Sequence, residues 1–249
     1  MNNDIFQHYQ GYQLLIKRLQ QATDRYQKYY YPIEFDFYNP DSIEIIKKFL
    51  GNSVAYSFYG GYKEATRKML VIGEDLDQKD YIECLAAKYN SNFSTIDNRD
   101  VKGALYNLGI DIDKTGDFFV QDNHIYLYCK KDISLWLIDN FKKIANLSVN
   151  FSSCEFVDQK FTFDSFNIIC PNTRLDKIVS FIIRKSREIA KNKILSQDVN
   201  VNFKTIDQND YNCQLNDIIS IKKVGRFKIK DIQTNPKSGK IILSIDKYR

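Results

Sequence analysis

Residues Thr173 to Asn202, TRLDKIVSFIIRKSREIAKNKILSQDVNVN, restrict the possible fold more than any other stretch of this chain. Leu175, Ile178, Val179, Ile182 and Ile183 recur at the i, i+3, i+4, i+7, i+8 spacing of one apolar helix face, which predicts a short helix buried along one side. Thr173 with Asp176 three residues on is a Ser/Thr-x-x-acid box that would cap its first turn. Ser186 stands where a second N-cap is needed, and Ile189, Ala190 and Ile194 form the inner face behind it. Val199 to Asn202 then alternates as the start of a strand. Arg174, Arg184, Lys185, Arg187, Lys191 and Lys193 are left for the outside or for helix starts. The result is two helices joined at a tight bend, apolar within and basic without.

Charge sets this region apart from the rest. From Arg174 to Arg249 there are 17 Lys and Arg against 8 Asp and Glu, a net of +9, whereas the remainder is net −4. Such asymmetry suggests a polyanion-binding module on a near-neutral body. Nucleic acid fits better than membrane, because no Trp/Leu-rich amphipathic basic helix accompanies the charge. The 249 residues at 43% hydrophobic content suffice for one large domain or two to three small ones. Cys84, Cys129, Cys154, Cys170 and Cys213 are widely spaced without a Cys-x-x-Cys pair, which argues for reduced thiols over a disulfide framework or zinc site. MNNDIFQHYQ carries no basic-then-apolar signal and no run reaches eighteen apolar residues, so a cytoplasmic location and no membrane partner are expected.

Along the chain, residues 4 to about 30 predict a helix through Ile5, Tyr9, Tyr12, Leu15, Ile16 and Leu19. FDFYNPDS breaks the pattern. Asp41 or Ser42 then starts a helix that Gly51 ends, followed by strands at Val54 to Phe58 and Met69 to Ile72. Gly60-Gly61 lacks the further glycine and Lys-Ser/Thr of a phosphate loop and reads as a turn between two strands. Next come strand Ile82 to Lys88, helix Arg99 to Leu108, strands Asp117 to Val120 and His124 to Cys129, helix Ile133 to Ile144 and strand Ser148 to Phe151. That is the ferredoxin-like order, which RNA-recognition modules share. HIYLYC has two tyrosines but not the glycine context of a base-stacking sheet, so Tyr126 and Tyr128 either stack bases or pack on one face. Later strands are expected at Asp217 to Lys222, Phe227 to Ile232 and Lys240 to Ile245, the last two joined by the NPKSG turn (Asn235 to Gly239).

RLD (Arg174 to Asp176), Ser180, Ser186-Arg187, Ala190, Ile194 and Val199 to Asn202 together resemble the αL, or S4-type, RNA-binding fold, and LNDIISIKKVGRFKI (Leu215 to Ile229) continues the match. YSFYGGYKEATRKMLVI (Tyr56 to Ile72) and NRDVKGALYNLGIDIDKTGDFFV (Asn98 to Val120) extend it to nearly the whole chain, which is similar to the YlmH family. Gln197, Phe203 and Asn216 stand where glycine is usual, Lys193 replaces an apolar residue and Asn98 a histidine. The fold class expected is therefore α+β: an N-terminal helical/α+β region (1–78), a central ferredoxin-like (RRM-like) domain (79–158), a linker (159–172) and an S4-type domain (173–249). The resemblance implies a non-enzymatic monomer of bacterial ribosome-associated quality control. Its partners would be the rRNA of the large ribosomal subunit and peptidyl-tRNA, with no cofactor, metal or small-molecule substrate, and it would assist C-terminal tailing of stalled nascent chains.

Phosphate binding needs cations and free amides at a convex surface, and the start of the second helix would supply both at Ser186 and Arg187. Arg174, Arg184, Lys185 and Lys191 flank that point. Lys222, Lys223, Arg226 and Lys228 would come from strands packed beside the helices. Arg174 and Asp176 serve equally as a structural pair, and isolated lysines as a solvated face. A second reading is an RNA-modifying enzyme of pseudouridine-synthase type that uses this domain as a clamp. Against it, the only Arg-Leu-Asp lies in the binding domain, His8 and His124 are the only histidines available for acid-base work, and the sequence offers no metal constellation or nucleophile elbow. A third reading is an adaptor that docks proteins on Tyr26, Tyr29, Tyr30 and Tyr31, residues that would equally roof the helix pair.

Overall fold

The computed structural model describes residues 9, 11–74, 77–90, 95–236 and 239–248. The chain forms two compact units, 1–160 and 161–249.

In the first unit, α1 (Gln13–Tyr29) buries Ile16, Leu19, Ala22 and Tyr26, and Tyr30 ends it in the left-handed conformation (φ 57°). Ile5 lies outside the described residues. The FDFY segment, expected as a break, is strand β1 (Ile33–Tyr38) with Phe35 and Phe37 buried. Its alternation is real; the breakers Asn39 and Pro40 belong to the start of α2 (Pro40–Leu50), where proline is tolerated in the first turn. Strands β2 (Tyr56–Tyr59) and β3 (Lys68–Ile72) complete an antiparallel sheet of order β1-β3-β2. One face packs Phe35, Leu70 and Ile72 against the two helices.

The other face presents Phe37, Met69 and Val71 to a second sheet. That sheet holds β4 (Ile82–Lys88), β5 (Thr115–Gln121), β6 (His124–Lys130) and β9 (Ser152–Cys154), all antiparallel in the order β5-β6-β4-β9. Helices α3 (Asn98–Asn107) and α4 (Lys131–Asn140) lie on its far side, packing Val101, Leu105 and Leu137 on Leu85, Ile125 and Leu127. Asp97 closes α3 with a reciprocal capping box to Asp100. Two expectations shift here. The second helix stops at Asn140 and a small hairpin, β7 (Lys143–Ile144) with β8 (Leu147–Ser148), follows. The expected strand at 148–151 is displaced to Ser152–Cys154, because Val149 and Phe151 plug the core from irregular chain.

The second unit is a six-stranded antiparallel sheet of order β10-β15-β14-β13-β11-β12. Its strands are β10 (Phe163–Cys170), β11 (Val199–Val201), β12 (Lys204–Thr205), β13 (Ile218–Ile221), β14 (Gly225–Thr234) and β15 (Ile241–Tyr248). The segment expected to be a linker thus contains strand β10, paired with β15 from Phe163↔Tyr248 to Cys170↔Ile241. Its polar residues read as a linker because they lie on the solvent face, while Ile168 and Cys170 enter the core. Helices α5 (Leu175–Ile183) and α6 (Arg187–Leu195) cover one face, with Ile178, Val179, Ala190 and Ile194 packed on Val199, Ile219, Phe227 and Ile229. Ile189, expected on the inner face, is exposed. Among the described residues no helix is long and apolar enough to cross a membrane.

Candidate nucleic-acid interface

The two helices reverse in a turn of basic residues. Arg184 adopts φ 52° and donates its N–H to the carbonyls of Phe181 and Ser180, and the Lys185 N–H bonds Ser180 O at 3.2 Å. Ser186 then caps α6, its Oγ accepting the Ile189 N–H at 3.4 Å. Arg184, Lys185, Ser186 and Arg187 consequently stand exposed in succession on a convex turn, with Lys191 one helical turn behind Arg187.

Beneath them sits Asp176. The expected cap by Thr173 does not form: Arg174 occupies the N-cap position without a side-chain cap bond, and the Asp176 side chain is fully buried. Its Oδ2 accepts Arg187 Nε at 2.9 Å and Nη2 at 2.8 Å, while Arg174 Nε reaches Oδ1 at 3.3 Å and Nη2 reaches Oδ2 at 3.2 Å. Burial pushes the Asp176 carboxyl up, but the hydrogen bonds from Arg174 and Arg187 outweigh it and hold the group below the ordinary carboxylate range. Two cations share one anion, so the cluster keeps a net positive charge. Arg187 remains 47% exposed while its Nε and Nη2 are held by Asp176. A buried carboxylate therefore fixes the orientation of a guanidinium offered to solvent, which is how a phosphate site is preorganised.

The strand cations lie elsewhere. Phe227 and Ile229 point into the core under α5 and α6, so Arg226 and Lys228, at alternate positions, project from the opposite face of the sheet. Lys223 sits in the β13–β14 turn at φ 64°. Lys222 bonds Asp198 at 3.1 Å, and Lys193 bonds the same carboxylate at 3.3 Å. The Lys222 hydrogen bond, against a smaller desolvation effect, holds Asp198 below its ordinary range. The candidate cations therefore divide between two places: Arg174, Arg184, Lys185, Ser186, Arg187 and Lys191 belong to the helix layer, and Arg226 and Lys228 to the sheet's other side. Period-2 alternation forces this once Phe227 and Ile229 are buried.

In the first unit, the two motif segments lock onto each other. Asp117 accepts the Tyr62 hydroxyl at 2.8 Å and the Thr66 N–H at 2.6 Å on Oδ2, and the Arg67 N–H at 3.1 Å on Oδ1. Arg67 in turn donates to Thr115 O, Asn39 Oδ1, Phe37 O, Ile112 O and Asp113 Oδ1. A Cβ on Gly61 (φ +87°) would stand 2.1 Å from the Tyr128 ring. The double glycine is thus a turn between β2 and β3 and a close-packing point. Tyr128 is fully buried between the two sheets, donating its hydroxyl to Val157 O and accepting the Val157 N–H, both at 2.8 Å. The face on which an RNA-recognition sheet stacks bases is covered here, and Tyr126 and Tyr128 pack. His124 Nδ1 lies 2.8 Å from Asp122 O in the β5–β6 turn, and His8 is outside the described residues. Of the four clustered tyrosines only Tyr26 roofs the helices; Tyr29, Tyr30 and Tyr31 are exposed.

Sequence reasoning missed Asp176 as the hub of the arginine cluster, although Arg174, Asp176 and Arg187 all stood in view. It also missed the pairing of Arg226 with aromatic rings, its guanidinium carbon lying 5.3 Å from the Phe203 ring centroid and 5.8 Å from that of Tyr248.

The second unit thus presents an arginine-rich helix pair on a sheet, and the first unit is built of two face-packed sheets. Residues 77–158 match the family described as "Putative RNA-binding domain in YlmH". The "Ribosome-associated protein quality control protein P2" of Bacillus subtilis (strain 168) is 22% identical over 222 residues, covering 86% of each chain. The solved structure of "Cell division protein ylmH from Streptococcus pneumoniae" superposes with a TM-score of 0.50 at 17% identity, over 58% of this chain and 92% of that one. Residues 77–158 thus match the RNA-binding domain model of YlmH, and the chain is similar to the Bacillus subtilis protein over most of its length.

Proposed function

We propose that this protein is a non-enzymatic cytoplasmic factor that binds the rRNA of the large ribosomal subunit together with peptidyl-tRNA and assists the rescue and C-terminal tailing of stalled nascent chains. In this reading, residues 1–78, the ferredoxin-like 79–158 and the S4-type 173–249 are its working modules. The observation that carries it is the Asp176-centred cluster: Arg187 and Arg174, held on one buried carboxylate beside exposed Arg184, Lys185 and Ser186, form a preformed phosphate grip. Such contacts recognise RNA by shape and backbone. The relative from Bacillus subtilis, named for ribosome-associated quality control, supports the setting.

The test is co-sedimentation of Arg187→Ala with large subunits across a salt series. Binding weakens at low salt and the slope of log K against log salt becomes shallower by roughly one phosphate contact, about 0.7–0.9. Unchanged co-sedimentation would refute the assignment. Incubation of the pure protein with rRNA and tRNA leaves the bases unmodified; a new pseudouridine would establish the enzyme reading instead. Exposed Tyr29, Tyr30 and Tyr31 favour an additional adaptor role, which pull-downs with and without nuclease resolve through partners that survive RNA removal.

A further inference from the structure

The helices cover only one face of the second unit's sheet. On the other face the strand register sets out a row across the sheet: Asn200 opposite Ser220, Ser220 opposite Arg226, and Phe163 opposite Tyr248. Arg226 bridges the halves of that row, flanked by the rings of Phe203 and Tyr248. Tyr248 meets Phe163 edge to face at 5.0 Å, and Phe163 is 39% exposed. Lys228 and Lys230 lie on the same face along β14. Two acids share this face: Asp246 is buried, bonded by Ser165 Oγ and lying 3.8 Å from Lys230, and Asp231, opposite Ser244, accepts the Ile232 N–H and the Gln233 amide.

Phe203 adds an independent observation. It adopts φ +70°, a conformation that bulky side chains rarely take. Its ring is the one lying 5.3 Å from the exposed Arg226 guanidinium, so the strained position delivers an aromatic group to this face. Rings alternating with a guanidinium, edged by lysines, form the platform on which unpaired nucleobases stack while their phosphates meet the cations. A continuous duplex cannot use such a surface, because its bases are already stacked on each other.

We propose that this helix-free sheet face is a second RNA site, which stacks unpaired nucleotides on Phe163, Tyr248, Arg226 and Phe203 while the helix pair grips the phosphates of structured RNA. The site rests on the reading of this protein as an RNA-binding factor.

The full chain is titrated with a ten-nucleotide single strand and, separately, with a blunt duplex RNA, by fluorescence anisotropy, and single-strand contacts are mapped by ultraviolet crosslinking. Tyr248→Leu and Arg226→Lys, the second keeping the charge and losing the plane, each weaken single-strand binding about tenfold and leave duplex binding unchanged. Tyr248→Phe retains the ring and the affinity, and Arg187→Ala weakens the duplex. If Tyr248→Leu fails to fold by circular dichroism, Arg226→Lys alone decides. Wild-type single-strand affinity in Arg226→Lys overturns the site. So does loss of ribosomal-particle binding in the row variants without any crosslink to the row, which would make this face a protein contact. Failure of wild-type protein to bind either RNA overturns the RNA-binding reading itself and this site with it. Duplex binding without single-strand binding overturns the site alone.

Discussion

Asp176 shows how one buried charge can organise a surface. A carboxylate taken out of water is retained only where cations and hydrogen bonds replace its hydration, and Arg174 and Arg187 do so here from two helix starts. Asp176→Asn keeps the shape and removes the charge, leaving two guanidinium groups without their anion. Urea unfolding should show a loss of about 2–4 kcal/mol in the second unit. The pH dependence has a definite sign. The folded-state pKa of Asp176 is depressed, so its contribution is present above the unfolded value of about 3.9 and disappears as pH falls through the lower folded value. The stability gap between wild type and Asp176→Asn should stay constant from pH 7 to about pH 5, then close on further acidification. A gap that widens in acid would contradict the charge-pair account.

At the scale of elements, tight turns decide how short helices and strands are joined. Gln197 (φ 61°) and Asn216 (φ 69°) keep the left-handed conformation at places where the family resemblance has glycine. Changing Gln197, an exposed residue just past α6, to glycine relieves the clash between Cβ and backbone, an effect of about 1 kcal/mol before the entropy of a freer unfolded chain offsets part of it. A thermal melt of Gln197→Gly should therefore show a small rise in Tm, and a fall would mean that the side chain contributes a contact. In the first unit, Asp117 joins the β2–β3 turn to β5 through three accepted hydrogen bonds. Asp117→Ala leaves the Thr66 and Arg67 amides and the Tyr62 hydroxyl without that acceptor, a loss of about 2–3 kcal/mol measurable by denaturant unfolding. The motif around Gly60 and Gly61 is in this sense structural: it places the turn against Tyr128 and joins strand to strand.

For the whole molecule, the uneven charge distribution gives the second unit the electrostatic attraction and leaves the first unit to shape and packing. RNA binding should accordingly fall steeply between about 50 and 200 mM salt, and a binding curve insensitive to salt would exclude a phosphate grip. Much of this plan was readable along the chain. Helical spacing from Leu175 to Ile183, the Ser186 cap and the alternation in β4, β6 and β14 are local signals written every two or three to four residues. Strand β1 was hidden because Asn39 and Pro40 follow it at once, and β10 because most of its outward residues are polar.

What the sequence by itself determined is the run of helices, most of the longer strands other than β1 and β10, the basic character of residues 174–249 and the family resemblance, all of which depend on neighbours in the chain. Only the tertiary structure decided which residues share a face. Packing Phe227 and Ile229 under the helices turned Arg226 and Lys228 to the other side of the sheet, sheet-on-sheet contact buried Tyr128, and the meeting of α5 and α6 brought Arg187 to Asp176 eleven residues away. These outcomes depend on long-range apolar burial, which periodicity indicates for each segment separately but cannot assign to a partner.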